Sequence, residues 1–455
     1  MAAPRNPSSH KHLPPRPALA GLIAALAGMS AAADTWTPQG NDGNTKVAVR
    51  TRAKTHDPGP HVPGQTALTT ATVTTCADSG PGSLREAVDA HAMIIDMTTL
   101  ACSTITLTTG QFVVANEITF KGPTSHALTI DANHNSRILI HYGPGGPLTL
   151  DNVRLTNGLQ SITSHDSAAG GCVLSVGAGV VLQNASIANC VANSAFVAYG
   201  GAIYAHDLTL NESVVSGSIV NGTTVHGGGA WVNGKLVMDH STIRDNTAIA
   251  STGDAVAGGA YVTEEAQLYA STISGNQAEY EGGLVVRYNA TIYNSTISGN
   301  SAPVVGGLSV GGLLVLDNST VFSNSPTSTF AGVYVNGGVV AHSSIVAQNC
   351  YTGSRYCDIE CKNCAIVGSN NLIMGANVAL PLGTIVADPL LAPLADNGGP
   401  TQTHALLTFS PALEKGSNIH DFPYDQRGRK RKAGAAPDIG AFEDGPDSIF
   451  ANGFD

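Results

Sequence analysis

Charge is scarce in this chain of 455 residues: Asp, Glu, Lys and Arg make up 12% of it, against roughly 25% in an ordinary globular protein. Long solvated helices and coiled coils need charged outer faces, so they are excluded as the main architecture. Aromatic residues reach only 5%, and 22 basic residues face 33 acidic ones for a formal charge of −11. No basic excess exists to track phosphates, and no nucleic-acid partner is expected. Beyond the first 33 residues there is no long apolar run, so no transmembrane span is expected in the mature chain. What is abundant is glycine, 52 residues, beside 23 Pro and 42% hydrophobic residues. That mixture fills a core yet breaks often, which predicts short strands and tight turns rather than disorder.

The N-terminus reads as an export signal. Arg5, Lys11 and Arg16 precede the apolar run from Ala18 to Ala27, and Ala31-Ala32-Ala33 offers small residues for cleavage near Ala33. Residues 34–71 are rich in Thr, Pro, Gly and Asn without periodicity and are expected to form a flexible linker. In an exported chain, eight cysteines point to disulfides before metal. Cys76 with Cys102 and Cys172 with Cys190 are the expected first two bridges. Cys350, Cys357, Cys361 and Cys364 cluster within 15 residues and read as two more, of open connectivity. No metal and no cofactor is expected.

Self-similarity carries most of the fold information. Gly-Gly pairs recur at Gly170-Gly171, Gly200-Gly201, Gly228-Gly229, Gly258-Gly259, Gly282-Gly283 and Gly306-Gly307, with a relic at Ala331-Gly332. The second glycines are spaced by 30, 28, 30, 24 and 24 residues, and a β-branched residue follows each of the last five by 14: Val215, Ile243, Ile273, Ile297, Val321. Three residues after the glycine come Tyr204, Val232, Val262, Val286 and Val310, and nine after come Leu210, Met238, Leu268, Ile292 and Leu316. These read as inward rows with outward residues between them, the period of two that strands require. Three residues past each β-branched position stand Ser218, Asn246, Asn276, Asn300 and Asn324. Units stacked in register would place these amides one above another, each donating to one neighbour and accepting from the next. The expected fold is therefore all-β, a parallel β-helix solenoid of about ten coils.

Ser83-Leu84-Arg85-Glu86 fits a capping box, so a short helix over 83–91 is expected to cover the first coil. Turn-rich residues 388–443 are expected to form an irregular C-terminal cap, after a helix-bearing solenoid over 72–387 and before a tail over 444–455.

Particular stretches resemble known families. Gly200-Gly201-Ala202-Ile203 with Phe322-Ser323-Asn324 looks like the repeats of polymorphic outer-membrane proteins, and Pro81-Gly82-Ser83-Leu84-Arg85-Glu86-Ala87 looks like a segment common at the N-terminal end of secreted β-helix repeat proteins. Asp425-Gln426-Arg427-Gly428, followed by Pro437-Asp438-Ile439-Gly440-Ala441-Phe442-Glu443, resembles the end of the choice-of-anchor Q domain. The resemblance implies a right-handed helix on a secreted or surface protein, with the tail as a sorting or anchoring element.

Segments before the Gly-Gly pairs are long around Gly217 to His226 and Asn246 to Ala257, then short from Asn276 to Glu281. Insertions in a solenoid gather on one face, often the binding face. Just after them the outward row reads Ile203, Trp231, Tyr261. Trp231 and Tyr261 are expected to stack on sugar rings, with His226, Asp254, Glu279, Glu281 and Arg287 in reach. The motifs of polygalacturonase-like enzymes and pectate lyases are absent, and the ionisable residues do not converge in the rows. The sequence therefore favours a non-catalytic, adhesin-like monomer contacting an extracellular polysaccharide or another surface protein. A polysaccharide lyase or glycoside hydrolase is the alternative.

Overall fold

The computed structural model describes residues 69–143, 145–163, 166–326, 331–350 and 358–445. The expected signal over 1–33, nearly all of the expected linker over 34–71, Cys357 and most of the expected tail over 444–455 lie outside the described residues.

Strands of two to five residues wind into an all-β parallel solenoid of about eleven turns. Each full turn adds one strand to each of three walls. A ten-stranded glycine wall runs from Phe112–Val114 to Ile359–Cys361. A twelve-stranded long wall runs from Thr70–Thr72 to Ile366–Ser369. The third, an eleven-stranded threonine wall, runs from Thr104–Thr106 to Leu372–Ile373. Register is strict: Met238 stacks on Leu268, Ile292 and Leu316 along the long wall, and Ile243 on Ile273, Ile297 and Val321 along the threonine wall. These rows are buried and form one continuous apolar core.

The glycine pairs combine two needs. In the early turns the first glycine takes a left-handed conformation, as Gly200 does at φ 58° and Gly227 at φ 71°. The second lets the next turn approach: a Cβ on Gly201 would lie 2.1 Å from the carbonyl oxygen of Gly228. That contact also corrects the expected register. Gly200-Gly201 corresponds to Gly227-Gly228, because the turn after Ala205 is one residue shorter than the turn after Val232. Ile203 therefore points into the core, and Tyr204 points outward against Trp231.

Two polar ladders follow the rod. Asn246 Nδ2 donates to Asn276 Oδ1 at 3.0 Å, Asn276 to Asn300 at 2.9 Å, Asn300 to Asn324 at 2.8 Å and Asn324 to Asn349 at 3.0 Å. Asp358, whose carboxylate accepts from the backbone N–H of Asn349 at 2.8 Å, ends the series. Ser218 continues it at the other end by donating its N–H to Asn246 Oδ1. A second ladder runs beside it, in which the hydroxyls of Ser241, Ser271, Ser295 and Ser319 each accept the backbone N–H of the serine one turn before. Its signal was the first residue of every Ser-Thr-Ile triplet.

The long segments before the glycine pairs are not loops. They run out and back as paired strands and stack into a fin over four turns, with Leu159–Ile162, Val191–Ser194, Ile219–Gly222 and Thr247–Ala250 outbound. Ala168–Ala169, Val197–Tyr199, Thr224–His226 and Ala255–Val256 return. Alanine and valine fill the gap between the two sheets. At the fin's first edge Arg137 donates to the carbonyls of Ala169 and Gly170 at 2.7 Å each, which keeps unpaired backbone from templating further strands.

Both ends of the core are covered. Leu84–Asp89 is helical, with Ser83 accepting the Glu86 N–H, and buries Leu84, Ala87 and Val88 against the first turns. Past the last turn, Ala376, Val378 and Leu380 pack on the core. Residues 388–443 are irregular and lie along the side of the threonine wall as a strap. Its contacts step along the rod: Thr272 donates to the Gln402 carbonyl, Thr296 to Gln426 Oε1, and Ser343 to the Ser417 carbonyl. The basic run from Arg427 to Lys432 belongs to this strap. Arg427 is buried, paired with Asp425 at 2.7 Å and lying 3.5 Å over the Phe442 ring, and Arg431 is buried among carbonyls.

Disulfides join Cys76 to Cys102, Cys172 to Cys190 and Cys361 to Cys364, and Cys350 is also disulfide-bonded.

Candidate functional site

Where the fin returns to the glycine wall, two aromatic columns meet. Tyr204, Trp231 and Tyr261 stand on successive glycine-wall strands, with Trp231 and Tyr261 stacked at 4.5 Å and 3° between planes. Tyr199 and His226, on the fin's return strands, stack at 5.7 Å. The columns pack edge to face, Tyr199 on Trp231 at 4.8 Å and His226 on Tyr261 at 5.3 Å. The stacking is along the rod, so the ring faces of Trp231 and Tyr261 cover each other. Tyr261 is only 7% exposed. This corrects the expected use of the two rings as sugar-stacking platforms: they fill the corner and stiffen the wall.

The chemistry lies one step further, where the fin stops. Val256 on the last return strand pairs with Glu281 of the next turn, whose segment is too short to rise into the fin. The result is a ledge. Its wall is the fin's last turn with Asp254, and its floor continues the outward row of the glycine wall through Val285, Ser309 and Tyr334. Tyr280 stands beside Asp254 at the foot of the wall. Arg287 lies near the Tyr261 hydroxyl.

Burial, reinforced by the charge of Asp254, pushes the Glu281 carboxyl up to about 7, and its Oε2 is enclosed with no hydrogen-bond partner. Burial pulls the His226 imidazole down to about 4, Arg287 adding to the effect and Asp254 opposing it, and its Nδ1 is likewise enclosed without a partner. His226 is thus neutral at ordinary pH. Burial also raises Tyr261, Tyr280 and Tyr334, the last with help from Glu360 and Glu281. Buried polar atoms left unsatisfied in a native fold call for an explanation, and a ligand or reacting group is one.

Of the seven residues singled out in the sequence, the structure gathers Trp231, Tyr261, His226, Asp254, Glu281 and Arg287 around this corner. Glu279 stands exposed at the rim. Sequence reasoning missed Tyr199, Tyr204, Tyr280, Tyr334 and Glu360. Tyr334 was within reach, since it sits two residues after Gly332, the outward position of the relic unit. Glu360 and Tyr280 carry no repeat signal. Among the described residues no group of three or more His, Cys, Asp or Glu is placed to hold a metal, and no helix is long and apolar enough to cross a membrane.

A separate cleft of about 570 Å³ opens at the fin's other end, bordered by Gln111, Asn135, Arg137 and Gln160. The Arg137 guanidinium there is engaged by Gln111, Ala169 and Gly170.

The ledge gives a pH prediction. Glu281 has a folded pKa of about 7 against an ordinary 4.5, so the folded state binds its proton more tightly than the unfolded state does. Its share of stability is full below pH 4.5 and is lost as pH rises through 7. Glu281→Gln is therefore expected to stabilise the fold at pH 8 by up to about 3 kcal/mol and to change it little at pH 4. Chemical unfolding of parent and variant at both pH values checks this; equal stabilities at pH 8 would show that the carboxyl is not strained there.

No family model matches this chain, and no curated protein matches it either. Among solved structures, the chain is similar to the crystal structure of pectate lyase Pel9A, with a TM-score of 0.45 and 12% identity over 83% of this chain and 97% of that one. The likeness is one of fold alone.

Proposed function

We propose that this chain is an exported β-helix protein that holds an extracellular glycan on the ledge below its fin. The observation that carries the reading is the convergence of Asp254, Glu281, His226 and Arg287 at one step of the rod, with two enclosed polar atoms lacking partners. Hydroxyl-rich ligands are recognised by such mixed sets of acids, a guanidinium and phenols on rigid strands. Export is supported by the signal-like N-terminus and by disulfides, which persist in oxidising compartments. The strap holds the residues that resemble the choice-of-anchor Q domain, and it fits a role in surface display with the C-terminal tail as sorting or anchoring element.

Binding is tested by passing the full-length protein over a glycan array. Retention of at least one polysaccharide is expected, with Tyr334→Ala and Arg287→Ala each weakening it about tenfold or more, the loss of one or two hydrogen bonds to a charged or phenolic group. Retention that ignores both changes would move the binding site elsewhere.

A further inference from the structure

We propose that the ledge also hydrolyses the glycan it holds, with Glu281 as the acid that protonates the leaving oxygen and Asp254 as the base that takes a proton from the attacking water. This rests on the glycan-binding reading and extends it to a reaction and a substrate class.

Two carboxyl groups in unlike surroundings are what glycoside hydrolysis needs, one kept protonated and one ionised. Glu281 is half-buried at the foot of the fin, and its enclosed Oε2 has no hydrogen-bond partner to hold it in a merely structural role. Asp254 lies higher on the wall, beside the Tyr280 phenol. Glu281 pairs across to Val256, two residues beyond Asp254. One strand spacing and two residues of rise place their Cα atoms about 8 Å apart. Two carboxyl groups that border one ledge can act as acid and base on a sugar held between them.

The step balances with water as the only co-reactant. The water oxygen forms a bond to the anomeric carbon as Asp254 accepts one of its protons. The bond from that carbon to the glycosidic oxygen breaks, and its electron pair takes the proton of Glu281. One hemiacetal and one alcohol leave, and proton exchange with solvent restores both carboxyls.

Charge names the substrate class. Asp254, Glu279, Glu281 and Glu360 surround the ledge with Arg287 as the cation facing them. With four acids to one cation, the ledge favours a neutral chain over a chain of uronates. The ledge therefore fits a neutral polysaccharide.

The test takes every polysaccharide retained by the full-length protein and follows new reducing ends and, separately, unsaturated uronate products. Reducing ends from a neutral polysaccharide are expected, without unsaturated product. Glu281→Gln and Asp254→Asn should each lower the rate at saturating polysaccharide about 10³-fold, a comparison that weaker retention does not enter. Because Glu281→Gln is expected to stabilise the fold, its inactivity cannot be assigned to unfolding. Retention with no new reducing ends overturns the hydrolase and leaves glycan binding standing. Unsaturated products overturn it in favour of elimination. If nothing is retained or cleaved, both readings fail.

Discussion

Asn300→Ala is expected to lower the free energy of unfolding by about 4 kcal/mol, one of the largest effects open to a single residue in this chain. Asn300 is fully buried in the middle of its ladder. Its Oδ1 accepts the backbone N–H of Asn276 at 3.0 Å and the Asn276 side-chain amide at 2.9 Å, while its Nδ2 donates to the Ile273 carbonyl at 3.0 Å and to Asn324 Oδ1 at 2.8 Å. Alanine strands the Asn276 N–H and the Ile273 carbonyl in an interior that water does not reach, and leaves a void besides. Ser218→Ala, at the ladder's first rung, removes only the acceptor for the Cys190 N–H and a bond to the Ser216 carbonyl. It should cost about 1 kcal/mol. Urea unfolding of both variants makes the comparison, and similar costs would mean that the ladder is not cooperative along the rod.

Gln426→Ala is expected to release the strap. The carboxamide is completely buried and works as a five-way junction between strap and threonine wall. Its Oε1 accepts from Thr296 at 2.6 Å, and its Nε2 reaches Thr272 and Thr401 hydroxyls at 2.9 Å and the carbonyls of Gln402 and Ser271 at 3.2 and 3.3 Å. Losing it orphans several partners at once, at a cost of about 3 kcal/mol. The solenoid beneath is held by its own core and should persist. Limited proteolysis is therefore expected to cut within residues 388–443 of the variant, leaving a resistant rod, whereas the parent resists along its whole strap. Unchanged resistance would show that the neighbouring Arg427–Asp425 pair and buried Arg431 suffice to dock it.

The walls were legible in the sequence because their signal is repeated: a row such as Ile243, Ile273, Ile297 states the same fact several times. The fin was not, because its strands are only two to four residues, too short to show a period and lying within segments of unequal length. One register error had a definite source. Gly227-Gly228-Gly229 offers two Gly-Gly pairs, and only the close approach of Gly201 to Gly228 decides between them. The candidate site was half visible. Trp231, Tyr261, His226, Asp254, Glu281 and Arg287 could be gathered by counting from the glycines, but their roles could not, since the direction of a ring face and the enclosure of a carboxyl depend on neighbours one turn away. The strap was legible as irregular, but its docking on the threonine wall joins residues more than a hundred positions apart, such as Thr296 and Gln426.

The ledge is a vacancy cut by a change of period. Units of 27 to 34 residues build the fin, and units of 24 follow it; the site stands at the boundary between the two lengths. Its wall exists because six residues are missing from the next unit, not because anything was added. Its position along the rod is thus written as a length difference rather than as a motif. Shortening the preceding unit by the same six residues would slide the wall back by one strand spacing, about 4.8 Å, and lengthen the floor, while each remaining turn still met the same ladder rungs above and below.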